Sequence, residues 1–207
     1  MLIAGSNPNY DVELNVPYPT TYTAEVWYPP YFSSGVRPQV TGVPKTLSYG
    51  GPYFNLTVSS TSYTGMPVNN AAANTTVVLS RGGFTTHAMN MGQRHLQLNN
   101  TYTANDDGSY ILHVSQVPPN ANLLTPGPAL LFVVVNGIPS NGTMVIVGTG
   151  QVGTQPVTAA ADLPEAVTSK PTSAKASGAG RGVDVVMGSV VGGALALWGV
   201  LGTWFPF

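Results

Sequence analysis

The sequence predicts an all-β protein built around an immunoglobulin-like sandwich, and three observations support this prediction. From Pro38 to about Gly150, runs rich in Val, Thr, Tyr, Phe and Leu recur at intervals of roughly a dozen residues. Clusters of Gly, Pro and Asn separate these runs. Charged residues make up only 7% of the 207 residues, so Thr, Ser, Asn, Gly and Pro must cover much of the surface. About seven or eight short strands in one domain are typical of the immunoglobulin-like sandwich.

Residues 1–36 precede the predicted sandwich and contain two further strand candidates. Leu2–Ala4 is a short apolar run that ends at the turn cluster Gly5–Asn9. It lacks the basic start and long apolar core of a signal peptide, and we expect a strand whose partners lie outside this chain. The second candidate is Thr23–Tyr28, which is closed by two prolines. Five aromatic residues lie around it, and we expect them to pack between layers rather than to form a sugar-stacking platform. They are Tyr18, Tyr22, Trp27, Tyr28 and Tyr31.

Residues 37–150 form the predicted sandwich, after a domain boundary that Gly35–Pro38 indicates. Leu130–Val135 has no polar alternation, which predicts a central strand covered on both faces. Asn105–Gly108 has the chemistry of a hairpin turn. The predicted strands are Gln39–Val43, Thr46–Tyr49, Tyr53–Val58, Thr76–Leu79, Gln93–Asn99, Ser109–Val114, Ala129–Asn136 and Met144–Val147.

The composition changes after the predicted sandwich. Residues 151–182 form a predicted linker, and Thr158–Gly182 is so rich in Ala, Ser, Thr and Pro that we expect a disordered stalk. Residues 183–207 form a hydrophobic tail, in which Val185–Phe207 contains no charge. As a helix this run would extend about 34 Å, which is enough to cross the core of a bilayer.

Two kinds of membrane anchor fit this tail. Small residues at Ser177 and Gly178, a short polar spacer and a hydrophobic end follow the order of a glycosylphosphatidylinositol signal, which we favour. In this reading Ser177 and Gly178 are the candidate attachment residues. The alternative is a retained transmembrane helix, in which Gly188 and Gly192 have the spacing of a helix-dimerisation motif.

A lipid anchor requires entry into the secretory pathway, and two interpretations of the amino terminus remain open. The chain is either a tail-anchored protein with a cytosolic sandwich or the carboxy-terminal portion of a longer secreted protein. The strand-like Leu2–Ala4 favours the second. Candidate N-glycosylation sequons, which permit an extracellular location, occur at Asn55, Asn74, Asn99 and Asn141.

The composition also excludes several functions. The chain has no cysteine, so it contains no disulfide, thiolate metal site or cysteine nucleophile. A net charge of −1 without a basic cluster argues against nucleic-acid binding. The motifs of serine hydrolases, phosphate-binding loops and zinc proteases are absent.

The residue most suggestive of chemistry is His87, in the polar, glycine-opened stretch Arg81–Arg94. His95 and His113 lie on the polar faces of predicted strands, where a surface histidine is ordinary. His87 lies in a predicted loop over residues 82–91, where functional residues are common, although a lone loop histidine is usually just a polar residue. No second histidine or carboxylate stands at ligand spacing, so we expect that the chain cannot assemble a metal site of these residue types by itself.

These segments resemble the copper radical oxidases glyoxal oxidase and galactose oxidase, over Met1 to about Val147. Ile3–Asn9 and Glu25–Phe32 resemble the last stretch of that family's seven-bladed, kelch-type propeller in its glyoxal oxidase form. Arg37–Val147 resembles the carboxy-terminal immunoglobulin-like, or early-set, domain. Within it, Thr86–Arg94 matches the family's His-x-x-Asn-x-x-Gln-Arg loop.

The resemblance implies that His87 is one ligand of a copper ion in the propeller's central channel. It places the other ligands upstream: a second histidine, an axial tyrosine and a tyrosine cross-linked to a cysteine. Asn90, Gln93 and Arg94 match the motif, and we expect them to brace the loop. The complete family enzyme takes two electrons from an aldehyde or alcohol and reduces dioxygen to hydrogen peroxide.

We therefore expect the carboxy-terminal portion of a glyoxal-oxidase-like enzyme, anchored at the cell surface and inactive in isolation. Its expected partners are a propeller of the same polypeptide, copper and the membrane, but no nucleic acid. The alternative is a stand-alone immunoglobulin-like adhesion or scaffold module on a membrane-anchored stalk, in which His87 has no catalytic role.

Overall fold

The computed structural model describes residues 1–4, 9 and 11–170. The predicted tail and the candidate attachment residues Ser177 and Gly178 therefore lie outside the described residues. The described part contains one short α-helix, α1 (Val68–Ala73), and 3₁₀ turns at Pro30–Ser33 and Ser60–Ser62. Its strands are β1 (Leu2–Ala4), β2 (Ala24–Val26), β3 (Val40–Thr41), β4 (Thr46–Leu47), β5 (Tyr49–Gly51), β6 (Phe54–Val58), β7 (Thr75–Arg81), β8 (Phe84–Thr86), β9 (Met89–Met91), β10 (Arg94–Leu98), β11 (Asn100–Ala104), β12 (Tyr110–Val114), β13 (Gly127–Val135), β14 (Ile138–Pro139), β15 (Thr143–Val147) and β16 (Val157–Ala160).

Two sheets form the sandwich and share one hydrophobic core. The larger has the order β10-β7-β13-β15-β4, with β14 beside β13, and the smaller has the order β11-β12-β6-β3. Neighbouring strands are antiparallel except for β15 and β4, which run parallel. The predicted all-β, immunoglobulin-like sandwich is confirmed.

The core forms because alternate residues of facing strands are apolar. Leu131 and Val133 of β13 are buried, as are Leu112 and Val114 of β12. At one end of the core, the hydroxyl groups of Tyr110 and Thr75 lie 2.8 Å apart, and Thr75 donates to the carbonyl of Ala71 in α1 over 2.7 Å. Burial raises the pKa of Tyr110 to about 12, so this hydroxyl remains neutral and available for hydrogen bonding.

Leu130–Val135 is central in its sheet as predicted, but the expectation that both faces are covered is wrong. Leu131, Val133 and Val135 are buried in the core, whereas Leu130, Phe132 and Val134 on the other face are only half-buried. That outer face is therefore covered only in part, and exposed Met144 lies beside Leu130 in the register. Unbroken apolar sequence therefore did not distinguish a one-sided strand from a two-sided one.

Three local features differ from the sequence prediction. Thr46–Tyr49 is divided between β4 and β5, which belong to different sheets. Strand β11 was not predicted, because its polar sequence Asn-Thr-Tyr-Thr-Ala has a weak apolar signal; the short helix α1 was not predicted either. The predicted turn at Asn105–Gly108 is confirmed: it joins β11 to β12, and Gly108 has φ +83°.

Residues 1–36 contain a strand pair of their own. Leu2 pairs with Val26 and Ala4 with Ala24, so the expectation that Leu2–Ala4 has no partner in this chain is wrong. The expectation of aromatic packing between layers is also wrong, since the five predicted aromatic residues are all exposed. A two-stranded sheet has no second layer to cover its faces, and this leaves a large apolar surface open.

The described end of the chain, residues 151–170, differs from the predicted linker and disordered stalk. Strand β16 runs parallel to β5, and further along Val167 forms hydrogen bonds of 2.8 Å with both Tyr102 and Ala104. At the end of this segment, the backbone N–H of Ser169 donates to the Asn69 side chain over 2.9 Å. We call residues 157–170 the carboxy-terminal strap. Its strand β16 is wholly exposed, so backbone hydrogen bonds rather than apolar burial hold that strand in place.

Candidate functional site

The motif that carries His87 is a β-hairpin rather than an irregular loop. Strands β8 and β9 pair in the register Phe84 with Met91 and Thr86 with Met89. Between them, His87 and Ala88 form a two-residue turn with φ of +52° and +57°. Positive φ at both turn residues matches the right-handed twist of paired strands. His87 therefore stands at the tip of a regular projection, which the sequence prediction of a loop over residues 82–91 missed.

The two faces of this hairpin differ in polarity. Phe84, Met89 and Met91 share one face with Thr86, and the three apolar side chains are 66%, 62% and 40% exposed. Thr85 pairs with Asn90 on the opposite face, and its hydroxyl donates to the Asn90 side-chain oxygen. The hairpin thus presents an apolar face and a polar face to solvent.

The two ring nitrogens of His87 have different environments. The Thr86 hydroxyl is hydrogen-bonded to Nδ1, whereas Nε2 has no hydrogen-bond partner among the described residues. A histidine that ligates a metal through one nitrogen is commonly oriented by a hydrogen bond at the other. Thr86 therefore fits an orienting role, and Nε2 is the nitrogen left to bind a metal.

The predicted supporting residues lie near His87 in sequence, but they do not surround it. Asn90 braces the hairpin across its strands through Thr85. Gln93 lies at the base, where its Cγ and the Met91 carbonyl leave no room for a side chain at Gly83. The Arg94 guanidinium donates to the carbonyl of Gln93 over 2.7 Å. No hydrogen bond joins Asn90, Gln93 or Arg94 to the His87 ring in the described structure.

Arg81 supports the base of the hairpin in a way that the sequence analysis missed. Its guanidinium donates to the carbonyl and hydroxyl oxygens of Thr125, each over 2.7 Å, and to the carbonyl of Pro126 over 2.8 Å. It lies opposite Arg94 in the register of β7 and β10. The one sequence signal was an arginine placed immediately before the glycine pair that opens the hairpin.

The other histidines lie outside the hairpin, as their faces predicted. His95 is exposed on β10. His113 lies on the outer face of β12, where one ring nitrogen is 2.8 Å from the Asn55 side-chain oxygen and the other is 2.9 Å from the Thr103 hydroxyl. Both of its nitrogens are thus engaged within the protein.

Within residues 1–4, 9 and 11–170, no three His, Cys, Asp or Glu side chains lie close enough to hold a metal ion. The same residues include no helix with the length and apolarity needed to span a membrane. Each of the four sequon asparagines, Asn55, Asn74, Asn99 and Asn141, is exposed, and their glycosylation stays a prediction.

Comparison with known proteins shows which family this chain is similar to. Residues 37–147 match the model described as galactose oxidase-like, early set domain. Aldehyde oxidase GLOX1 of Arabidopsis thaliana is 35% identical over 152 residues, which is 70% of this chain and 23% of that protein. Aldehyde oxidase GLOX of Vitis pseudoreticulata is 30% identical over 143 residues, which is 68% of this chain and 26% of that protein.

A solved fungal alcohol oxidase of the AA5 family, in complex with copper, aligns with 58% of this chain and 24% of its own. The sequence identity is 24% and the TM-score is 0.38. This chain spans about a quarter of the length of the curated relatives that it matches. The family resemblance predicted from the sequence is confirmed: the chain belongs to the galactose oxidase-like early set domain family.

Proposed function

We propose that this chain is the carboxy-terminal portion of a glyoxal-oxidase-like copper oxidase and supplies one copper ligand, His87. The observation that carries the proposal is the hairpin itself, which projects a histidine with a free Nε2 from a rigid sandwich. Copper accepts imidazole nitrogen readily as a ligand, so the chemistry of this residue fits the metal. When bound, copper would accept one electron in the oxidation of an aldehyde or alcohol.

The work of this chain's own residues is to present and hold that ligand. Thr86 engages Nδ1 and thereby orients the ring, while Asn90 and Thr85 fasten the two hairpin strands together. Arg81 ties the end of β7 to Thr125 and Pro126, which fixes the base from which the hairpin projects. A ligand carried on a braced element is held in a reproducible position.

The remaining ligands belong, in this proposal, to a propeller domain of the same polypeptide. Two exposed apolar surfaces support such a partner: the Phe84 face of the hairpin and the strand pair β1–β2 with its aromatic neighbours. Large apolar patches on a soluble domain usually mark an interaction surface. The matched region makes up only 23% and 26% of the two aldehyde oxidases, and this supports the proposal of an additional domain.

We predict that the isolated 207-residue chain is catalytically inactive. With copper and methylglyoxal it should produce no hydrogen peroxide above a copper-only control in a peroxidase-coupled assay, because a single imidazole cannot complete the site. The longer polypeptide that includes the upstream coding sequence should produce peroxide under the same conditions. Peroxide formation by the isolated chain would overturn the claim that it contributes only one ligand.

We further propose a location at the cell surface, with the tail at residues 183–207 directing a lipid anchor. The order of small residues, spacer and apolar end in the sequence supports this. Treatment of intact cells with phosphatidylinositol-specific phospholipase C should release the protein into the medium. Retention on the cells would favour a transmembrane helix, and a cytosolic protein with unmodified sequons would contradict the proposed location.

A further inference from the structure

Three side chains with soft or borderline metal-binding atoms lie on one face of the hairpin: the imidazole of His87 and the thioethers of Met89 and Met91. Thr86 and Met89 are cross-strand partners, so their side chains point to the same side, with Cβ atoms about 5 Å apart by the geometry of such pairs. The hydrogen bond between Thr86 and Nδ1 places the His87 ring beside Thr86 on that face. Met91 follows Met89 by two residues and therefore shares the face, about 7 Å along the strand.

Both methionine residues on this face are exposed, although methionine is usually a buried residue. Met89 is 62% exposed and Met91 is 40% exposed. The opposite face is occupied by the hydrogen-bonded Thr85 and Asn90 and offers no donor of this kind. The free donors of the apolar face are thus one imidazole nitrogen and two thioethers.

From this set of donors we propose that His87, Met89 and Met91 form a binding site for Cu(I) at the tip of the hairpin. Thioether sulfur is a soft ligand that selects Cu(I), and imidazole suits copper in general. Unbranched methionine side chains are flexible, so the two that lie about 7 Å apart along β9 can turn toward one metal ion. Because no carboxylate takes part, hard cations such as Mg²⁺ and Ca²⁺ have no ligand here.

The site gives the exposed methionines a role that the single-ligand oxidase function does not require. In this proposal the site acts during assembly of the enzyme, before the hairpin contacts the propeller domain. At that stage it holds a Cu(I) ion next to His87, which later serves as a copper ligand. This role rests on the proposed oxidase function. The Cu(I) site itself does not, because it depends only on residues of this chain.

The test is Cu(I) binding by the purified 207-residue chain under anaerobic conditions, measured by competition with the colorimetric chelator bicinchoninate. We expect binding of one Cu(I) per chain. The variants M89L and M91L should each weaken it by at least about tenfold, as should H87A, since each removes a ligand. Leucine preserves the apolar volume of methionine, so these variants keep the hairpin's shape.

Met144 offers a matched control, because it is 61% exposed on β15 and lies outside the hairpin. M144L should bind Cu(I) as the unaltered chain does. X-ray absorption of the Cu(I)-loaded chain should also show sulfur scatterers at ligand distance. Unchanged affinity in both M89L and M91L, or a copper environment without sulfur, would overturn the proposal.

The result is separable from the test of the proposed function. If M89L and M91L lose Cu(I) binding, the proposed Cu(I) site is supported. If the longer polypeptide with the same substitutions still produces peroxide, the role of that site in supplying copper to the enzyme is contradicted. Sulfur-independent binding, with activity lost only on replacement of His87, would overturn the Cu(I) site and leave the oxidase function standing.

Discussion

Replacing His87 with alanine in the full-length polypeptide is expected to lower hydrogen peroxide production by more than about a hundredfold. Removal of an orienting partner alone costs about 10- to 100-fold in metal affinity or activity, and loss of a ligand should cost more. The fold should be unaffected, because His87 stands exposed at the hairpin tip and packs against no core residue. The measurement is the peroxidase-coupled rate with a small aldehyde, together with the copper content of the purified protein.

His95→Ala is the matched control, because His95 is also an exposed histidine but lies on β10, outside the hairpin. It should retain the unaltered rate. Thr86→Val should give an intermediate loss, because it keeps the side chain's shape and removes only the hydroxyl that engages Nδ1. Full activity in H87A would contradict the proposed ligand and favour the alternative of an adhesion or scaffold module.

The second large effect concerns stability and is expected for Gly50→Ala. Gly50 has φ +72°, and a Cβ there would lie 1.8 Å from the Thr158 carbonyl oxygen of the carboxy-terminal strap. The strand β16 must therefore move away from β5. We expect the free energy of unfolding to fall by about 2–4 kcal/mol, from strain at positive φ and from lost hydrogen bonds. Chemical denaturation measures this, and hydrogen exchange at Ala161, which donates to Gly51 over 3.1 Å, reports on the strap directly.

Gly65→Ala separates the two contributions to that loss. Gly65 has φ +74°, close to that of Gly50, but no atom lies within 4 Å of the position of its Cβ. In this variant the free energy of unfolding should fall by only about 1 kcal/mol, from strain at positive φ, and the amide of Ala161 should still exchange slowly. Equal stabilities of the two variants, or slow exchange at Ala161 in Gly50→Ala, would show that the strap does not depend on this close approach.

The sequence predicted what depends on short-range patterns. The alternation in Ser109–Val114 located β12 and assigned His113 to its outer face. The Asn-Asp-Asp-Gly sequence located the turn that joins β11 to β12, although β11 itself was not predicted. The spacing of His87, Asn90, Gln93 and Arg94 identified the family motif, because such a motif is a property of neighbouring residues.

The sequence failed where a structure is fixed by distant backbone partners. The Ala- and Thr-rich stretch at Val157–Ala160 has little apolar surface to bury, and it is ordered only because β5 offers it hydrogen bonds. Leu2–Ala4 pairs with Ala24–Val26, and the sequence between the two strands gives no sign of this pairing. Any backbone can make such bonds, so composition does not reveal them.

By itself, then, the sequence determined the sandwich and the motif, and the resemblance to the oxidase family made His87 the candidate ligand. The tertiary structure decided how that ligand is presented. The pairing of β8 with β9 divides a stretch that looks uniformly polar and irregular into two faces. It puts Thr86 against Nδ1 and leaves Met89 and Met91 beside the ring. The physical reason is the period of two in a strand, which acts only once the register of the hairpin is set.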